Sequence, residues 1–505
     1  MSLLKRNVVA NFAGRASGVA VSLLFVPVYL HFLGGEGYAL IGFSLVLFAL
    51  LQTLDLGLSA AFSRELARAR AMGPNGVASR DLARTLEVVY WSVGLAIAAL
   101  FLLCSPLVAR HWLDPDGLSD QAVLDSLRLM AVALALQWPM SLYNGGLSGL
   151  ERQVTLNVVL ASFGLLRGAG AALVLWQLSA TPQAYFAWLC ACHASQTALT
   201  ALLLWQALPS QPGRARFRPA LLREVWRFAA GVSLIAVLGA LASQIDKVLL
   251  SGLLPLEAFG YYMLAWTLSS ALAYFAVPLA SAVAPRFAAL HARHDVPSLS
   301  DLYLRASELA AVAVVPVAAV LAAFSPLALQ AWTGDSATSA AAAPLLALLL
   351  LGSALNSLLL VPFQLQLACG QVRLGISVNI AVVLLYCPML ALVVPSYGAL
   401  GAAWAWLALN AAYALVVAGP MHRRVLPGIG GTWALRAVVL PALAALGTAA
   451  LLASMLDPAP SRPAAVAVLA LGWAMAAAAV IALTPRARTV LLGVLQGVLR
   501  RQARI

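Results

Sequence analysis

Basic side chains inside long apolar stretches are the residues of this 505-residue chain best suited to chemistry. Arg15, Arg167 and Lys247 all lie within such stretches. A charge at the bilayer centre costs at least about 2.5–3.5 kcal/mol on insertion scales, so each residue requires a partner or a function. Cationic side chains form strong hydrogen bonds with phosphates and carboxylates. The three residues therefore predict a site for an anionic ligand.

A stripe of polar and small residues accompanies Arg15. The stripe consists of Asn7, Asn11, Gly14, Arg15, Gly18 and Ser22. Their spacing places them on one face of a helix whose other residues are apolar. Close helix packing through the two glycines is one explanation. A cavity in which Asn11, Arg15 and Ser22 contact a ligand is the other, and we expect the cavity because a packing seam does not require an arginine.

The remaining charged residues have structural alternatives. Arg167 is about twelve residues into its apolar stretch, too deep to reach the interface easily, and could instead pair with an acid on a neighbouring helix. Lys247 could bind the ligand or extend to the interface. Asp55 could cap a helix, and both Asp55 and Asp246 could pair with a cation or carry a coupling ion such as H+ or Na+. The residue pattern leaves these alternatives open.

The apolar stretches that carry these residues set the fold class. Hydrophobic residues make up 63% of the chain and charged residues 10%, whereas about a quarter of a soluble domain is charged. A transmembrane helix needs about 20 apolar residues, and uninterrupted runs such as 340–351 do not show the alternation of a membrane barrel. We predict an all-α polytopic membrane protein with about fourteen spans. The predicted spans are 8–31, 38–61, 87–109, 127–148, 155–177, 185–207, 228–252, 260–284, 305–327, 342–367, 372–394, 398–420, 434–456 and 464–484.

The basic residues predict the orientation of the chain. Most of the 31 lysines and arginines fall in the loops on one side of these spans, and only Arg110 and Arg462 fall in loops on the other. Basic loops stay in the cytoplasm, so both termini are predicted to be cytoplasmic in a bacterial inner membrane. The net charge of +13 then suits anionic membrane lipid and requires no nucleic acid.

Several classes of site are not expected. No phosphate-binding GxxxxGK[ST] motif is present, and no loop is long enough for a soluble catalytic domain. The five cysteines lie in or beside apolar spans, and the six histidines do not cluster with acids at ligand spacing. We therefore expect neither a metal nor a cofactor, apart from a coupling ion, and a transporter rather than an enzyme.

Two pairs of similar segments indicate an internal repeat. PMSLYNGGLSGLERQVTLN at 139–157 resembles PFQLQLACGQVRLGISVN at 362–379, and LGGEGYA at 33–39 resembles LLPLEAFGYY at 253–262. Both pairs are offset by six predicted spans, as in the parallel repeats of transporters. We predict two six-helix lobes, 1–207 and 228–420, joined by a basic cytoplasmic linker at 208–227. A helix pair within 421–484 and a cytoplasmic amphipathic tail at 485–505 follow.

The same regions resemble the Wzx-type polysaccharide-biosynthesis flippases, an oligosaccharide-lipid flippase family of the MOP superfamily. The resemblance rests on Asn11 and Gly18, on Pro27 followed by LHFLGGEGYAL at 30–40, and on LDLGLSAAFSRELA at 54–67. QIDKVLLSGLLPLEAFGYY at 244–262 is similar to the junction of helices 7 and 8 in that family. The likeness covers roughly residues 7–420, and its motifs are most specific in the first 70 residues.

This resemblance implies a V-shaped MOP/MATE-like bundle with alternating access. The implied substrate is an undecaprenyl-diphosphate-linked oligosaccharide, an O-antigen, lipopolysaccharide or exopolysaccharide precursor, flipped from the cytoplasmic to the periplasmic leaflet. Arg15 stands where the family would have a basic cavity residue, and Arg167 and Lys247 correspond more loosely. A polymerase or other polysaccharide-assembly protein is an implied partner, and two helices beyond twelve are similar to the arrangement in lipid II flippases.

Three other functions remain open at this stage. A lipid II flippase shares the architecture, although a denser set of arginines would be expected. A multidrug/ion antiporter of the same superfamily would want an acid deep in the first span, where this chain has Arg15. A membrane polymerase or glycosyltransferase would need a larger periplasmic loop.

Overall fold

All secondary structure elements of the described residues are helices. The computed structural model describes residues 3–72, 79–209, 214–416, 418–455 and 461–502. Within them, the side chains of 3–20, 71–72, 224, 227–242, 372–374, 416, 418, 494–495 and 497–502 lie outside the description. The all-α membrane fold is confirmed. The helices are α1 (Leu3–Thr53), α2 (Leu58–Met72), α3 (Ser79–His111), α4 (Asp120–Gln137), α5 (Met140–Gly149), α6 (Gln153–Gln177), α7 (Pro182–Ala207), α8 (Pro219–Leu253), α9 (Leu256–Ser270), α10 (Ala273–Ala292), α11 (Val296–Ala323), α12 (Ser325–Thr333), α13 (Ser336–Leu358), α14 (Leu360–Ala368), α15 (Val372–Val416), α16 (Ala418–Val425), α17 (Gly430–Trp433), a π-helical turn (Ala434–Val439), α18 (Leu440–Ser454), α19 (Arg462–Leu483) and α20 (Pro485–Gln502).

Two of these helices are too long to be single spans. A straight α1 of 51 residues would extend about 77 Å at 1.5 Å per residue, well beyond a hydrocarbon core of about 30 Å. Gly34 in α1, at φ 68°, and Gly398 in α15, at φ 57°, break the helical path. Only glycine adopts this conformation without strain. Eleven stretches of the described chain qualify as membrane spans by length and composition, and the total of fourteen stays a prediction.

Interruptions recur in the helices that the repeat relates. α1 and α2 are separated by a turn at 54–57, and α9 and α10 are separated at 271–272. Likewise Trp138 and Pro139 separate α4 from α5, and Leu359 separates α13 from α14. These breaks fall in the second and eighth predicted spans, and in the fourth and tenth. The equivalent positions of the breaks agree with an offset of six spans.

The chain forms two compact units, Met1–Gly260 and Tyr261–Ile505. In the first unit, α8 packs against α1, α2 and α3, and α4 packs against both α3 and α7. In the second, α11 is central and contacts α10, α13, α18 and α19. The predicted division into 1–207, 208–227 and 228–420 is based on the internal repeat in the sequence, whereas the two units are defined by contacts in the structure. The predicted division therefore stays a prediction.

The described end of the basic linker is attached to α3. The buried Asp81 carboxylate forms an ion pair with Arg218, with 2.6 Å between Oδ2 and Nε. The backbone N–H of Arg216 donates to Asp81 Oδ1 at 2.9 Å, and that of Arg218 donates to Thr85 Oγ1 at 2.9 Å. Residues 214–218 are therefore held in place by the first turns of α3, although they have no helical structure of their own.

The C-terminal helices pack on α11. α18 and α19 contact each other and α11, and α20 begins beside the buried Glu308. The Glu308 carboxylate accepts hydrogen bonds from the backbone N–H groups of Arg486 and Ala487, at 2.8 and 3.2 Å. A carboxylate at a helix N-terminus satisfies unpaired N–H groups and favours the helix dipole, so Glu308 fixes the start of the predicted tail helix.

Candidate functional site

Arg167 is half-buried in α6, on the side that packs against α1 and α7. It lies close enough to Tyr29 of α1, and to Tyr185 and His193 of α7, for its charge to act on all three. No acidic oxygen lies within 4 Å of its guanidinium in the part of the chain that the structure describes. The guanidinium therefore keeps donors that an anion could use.

Two buried polar side chains lie one turn apart in α7, and one of them, His193, is near Arg167. His193 and Gln196 are 1% exposed, and the polar atoms of both side chains lack hydrogen-bond partners among the described residues. The His193 ring packs edge-on against Phe48, with 5.6 Å between the ring centroids. Buried polar groups are normally satisfied, so this cluster is a place where water or a ligand would be stabilised.

The other predicted basic residue, Lys247, lies in a different environment. It is 1% exposed, and its Nζ donates to both carboxylate oxygens of Asp246 at 2.9 and 3.1 Å, and to the Ser243 carbonyl at 2.7 Å. This geometry matches the charge-pairing alternative for Asp246. A role for Lys247 in substrate binding stays a prediction, and it would require this pair to open.

The predicted stripe on the first span is described only at its end. Asn11 and Arg15 belong to α1, but their side chains lie outside the described residues. Ser22 is exposed on the same helix. The close approach of α1 and α6 is visible further along, because a Cβ on Gly168 would lie 2.2 Å from the Phe25 ring. The roles of Asn11, Arg15 and Ser22 stay predictions.

Asp55 occupies the break between α1 and α2. Its carboxylate accepts hydrogen bonds from Ser59 Oγ at 2.7 Å, from Ser59 N at 3.3 Å, from Ser141 Oγ at 3.2 Å and from the Tyr90 hydroxyl. No basic side chain lies within 4 Å of it among the residues described. Neutral donors thus satisfy a carboxylate that is only 9% exposed. Neither the pairing nor the ion-coupling prediction for Asp55 is decided by this geometry.

A cavity of about 390 Å³ lies beside the Asp55 network. It opens where the break between α1 and α2 lies next to the break between α4 and α5, so residues near the ends of these four helices line it, together with Leu156 of α6. The polar side chains that line it, among the residues that the structure describes, are all uncharged. They are Gln52, Ser59, Gln137, Ser141, Asn144 and Ser148.

A further buried carboxylate lies in the same unit. Glu87 of α3 accepts hydrogen bonds from the Tyr143 hydroxyl at 2.7 Å and from Trp205 Nε1 at 3.2 Å, and it forms an ion pair with Arg84 at 2.8 Å. Sequence reasoning missed Glu87, Tyr143 and Tyr90, because an acid near the end of an apolar stretch is ordinarily exposed. Pro139, within the repeat segment, was the available signal for the break beside the cavity. Across the described residues, no three His, Cys, Asp or Glu side chains converge as metal ligands would.

Solved structures with similar folds are transporters. A lipid II flippase MurJ in an inward closed conformation matches with a TM-score of 0.69 and 12% identity, over 93% of this chain and 97% of that one. An inward-facing multidrug resistance MATE family transporter of the MOP superfamily matches with a TM-score of 0.65 and 17% identity, over 81% and 94%. A MOP superfamily transporter from Pyrococcus furiosus, described as having a binding pocket of reverse polarity, matches with a TM-score of 0.55 and 16% identity, over 83% of this chain and 96% of that one. The fold is thus that of MOP superfamily transporters.

The sequence comparison identifies the family of this chain more narrowly than the fold comparison does. No curated protein sequence matches the chain. The sequence profile described as polysaccharide biosynthesis protein matches residues 4–291, which include the predicted stripe on α1, the Asp55 network, Arg167 and the Asp246–Lys247 pair. The match covers more than half of the 505 residues, and the chain belongs to the polysaccharide biosynthesis protein family.

Proposed function

We propose that this protein flips undecaprenyl-diphosphate-linked oligosaccharide repeat units from the cytoplasmic to the periplasmic leaflet by alternating access. The observation that carries the proposal is Arg167, a guanidinium within a membrane-spanning helix of a polysaccharide biosynthesis family member. It has no acidic partner within 4 Å among the described residues. A diphosphate offers oxygens that match the planar donors of arginine, so Arg167, with Arg15, is assigned to the head group of the substrate.

The lipid tail is assigned to the membrane itself. Helices α18 and α19 expose large apolar side chains, including Leu443, Val466 and Trp473. An isoprenoid can follow such a surface in lipid while only the polar head group enters the protein. The proposed orientation places both termini in the cytoplasm of a bacterial inner membrane, where the basic loops contact anionic lipid. Polysaccharide-assembly proteins such as a polymerase would take the flipped product.

The test is deletion and complementation in the native bacterium. We expect deletion to abolish surface polysaccharide and to leave undecaprenyl-linked repeat units in the cytoplasmic leaflet. Complementation by Arg167→Gln should fail at normal protein level, Arg167→Lys should restore part of the product, and Arg128→Gln should restore all of it. Arg128 is a matched control because it forms an exposed pair with Asp125 at 3.2 Å. Intact surface polysaccharide after deletion would refute the proposal.

A lipid II flippase is the second candidate. The observation that favours it is the extent of the fold match, since the lipid II flippase structure covers 93% of this chain and the MATE structure 81%. The same deletion strain separates the two candidates. Loss of peptidoglycan synthesis with cytoplasmic lipid II would support the second, whereas loss of surface polysaccharide in cells with an intact wall supports the first.

A further inference from the structure

The cavity beside Asp55 has the construction of a binding site. Broken transmembrane helices place helix termini and free backbone groups next to a ligand, and transporters use them for that purpose. Here two breaks, at 54–57 and at 138–139, lie side by side in one unit. A volume of about 390 Å³ is at the small end of the range for small-molecule pockets.

The polar wall of this cavity offers an excess of acceptors. Gln137 Oε1 and Asn144 Oδ1 are buried and receive no hydrogen bond from any described residue. Ser59 Oγ donates its proton to Asp55, at 2.7 Å, so toward the cavity it presents lone pairs only. A ligand with several hydroxyl donors would satisfy these oxygens. Asp55 acts here as a positioning residue, because it orients the Ser59 hydroxyl.

The rest of the cavity lining is apolar and aromatic. Phe48, Leu134, Trp138 and Met140 line the cavity, and the buried Trp138 Nε1 has no acceptor among the residues described. A sugar ring combines an edge of hydroxyl groups with a face of C–H groups, and it matches both walls at once. A bare metal ion would leave the apolar wall unused, and both Asp55 oxygens are already hydrogen-bonded. The polar lining formed by the described residues is uncharged, which favours a neutral ligand.

We propose that this cavity binds one uncharged sugar residue of the transported glycan. The identity of that glycan as cargo rests on the function proposed above, whereas the binding of a neutral sugar follows from the cavity alone. In this arrangement, different residues bind the diphosphate and the sugar. Arg167 of α6 binds the charged diphosphate. The residues at the α1–α2 and α4–α5 breaks form hydrogen bonds with the sugar hydroxyl groups.

The experiment measures sugar binding to the purified full-length protein in detergent by saturation-transfer NMR. The probes are methyl glucoside, methyl galactoside and N-acetylglucosamine, with glucuronic acid as the charged comparison. Gln137→Leu and Asn144→Leu each remove one acceptor at similar side-chain size. Gln183→Leu is the matched control, because Gln183 Oε1 is also buried without a partner among described residues but lies outside the cavity lining.

We expect at least one neutral sugar to bind the unaltered protein and Gln183→Leu equally, and to bind each cavity variant about five-fold more weakly, as for the loss of one hydrogen bond. Absence of neutral-sugar binding, equal binding to all variants, or stronger binding of glucuronic acid would overturn the inference. These results are independent of the deletion phenotype. Neutral-sugar binding with intact surface polysaccharide would refute the flippase proposal alone, and a polysaccharide defect without sugar binding would refute the cavity assignment alone.

Discussion

The attachment of the basic linker to α3 leads to a quantitative prediction for Asp81→Asn. Asp81 is 1% exposed and receives both the Arg218 guanidinium and the Arg216 N–H. The hydrogen bond from the Arg216 N–H to this charged group contributes about 1.5–3 kcal/mol, and Arg218 adds an ion pair rather than an aligned hydrogen bond. The Arg218 side chain is 56% exposed, so solvent screening reduces its share. Together the two contacts are expected to hold residues 214–218 by about 2 kcal/mol.

Trypsin measures this free energy directly. Arg214 and Arg216 are exposed trypsin sites, but cleavage after them requires the bound backbone to leave α3. When opening is fast relative to cleavage, the rate follows the population of the open form. A loss of about 2 kcal/mol should therefore raise the cleavage rate in the linker about 30-fold. The assay is limited proteolysis of the intact protein in detergent, with the site of cleavage identified by mass spectrometry.

Asp125→Asn is the matched control, since it removes the same charge from an exposed i,i+3 pair with Arg128. Such surface pairs contribute about 0–1 kcal/mol, and linker cleavage should stay at the unaltered rate. Equal linker cleavage in Asp81→Asn and the unaltered protein would show that Asp81 does not hold the linker. Faster cleavage at every site of the chain would show a general loss of stability instead.

Three further predictions concern stability. Gly149→Ala should lower the unfolding midpoint, because its Cβ would lie 2.3 Å from the Ser63 carbonyl oxygen, an overpacking that costs about 1–3 kcal/mol. Gly164→Ala in α6 meets no described residue within 4 Å and should stabilise by up to about 1 kcal/mol, so equal midpoints would contradict the packing. Glu308→Gln should raise amide hydrogen exchange in the first turn of α20 while leaving α19 protected, and unchanged exchange there would exclude Glu308 as the anchor. Asp335 caps α13, and hydrogen bonds from Thr338 hold its pKa below the usual range, so Asp335→Ala should cost about 1 kcal/mol above the unfolded-state pKa of about 3.9. Because a depressed folded-state pKa stabilises only the ionised form, this difference should shrink as the pH falls through the folded-state value; a difference independent of pH would contradict it.

Composition was sufficient for the fold class, since long apolar runs in lipid must be helices. The breaks were harder to predict. Pro139 marked one of them, but the turn at 54–57 contains no proline, and Leu56 there adopts φ 48°, which sequence propensity disfavours. Hydrogen bonds to Asp55 from Ser59, Ser141 and Tyr90 accompany this turn, and they come from three different helices.

The sequence pointed to individual residues of the candidate site but not to the way they are grouped. Arg167 was correctly singled out as lying in a spanning helix, yet nothing in its own stretch indicated that Tyr29 and His193 would be its neighbours. Lys247 and Asp246 are adjacent in sequence, and neighbours along a helix normally point in different directions. Their contact depends on the Lys247 side chain folding back, with its Nζ reaching both Asp246 and the Ser243 carbonyl. Such a rotamer choice has no signature in a sequence pattern.

The packing of α8 in the first unit has a consequence for biosynthesis. Because α8 contacts α1, α2 and α3, the first unit is incomplete when the ribosome has released only the helices up to Ala207. At about 5–20 residues per second, the residues from Ala207 to Gly260 take about 3–10 s to synthesise. At the start of that interval the face of α3 that carries Asp81 has not yet received residues 214–218. A chain stalled between Ala207 and Gly260 would therefore lack contacts that α8 makes with α1, α2 and α3, and the first unit would stay incompletely packed.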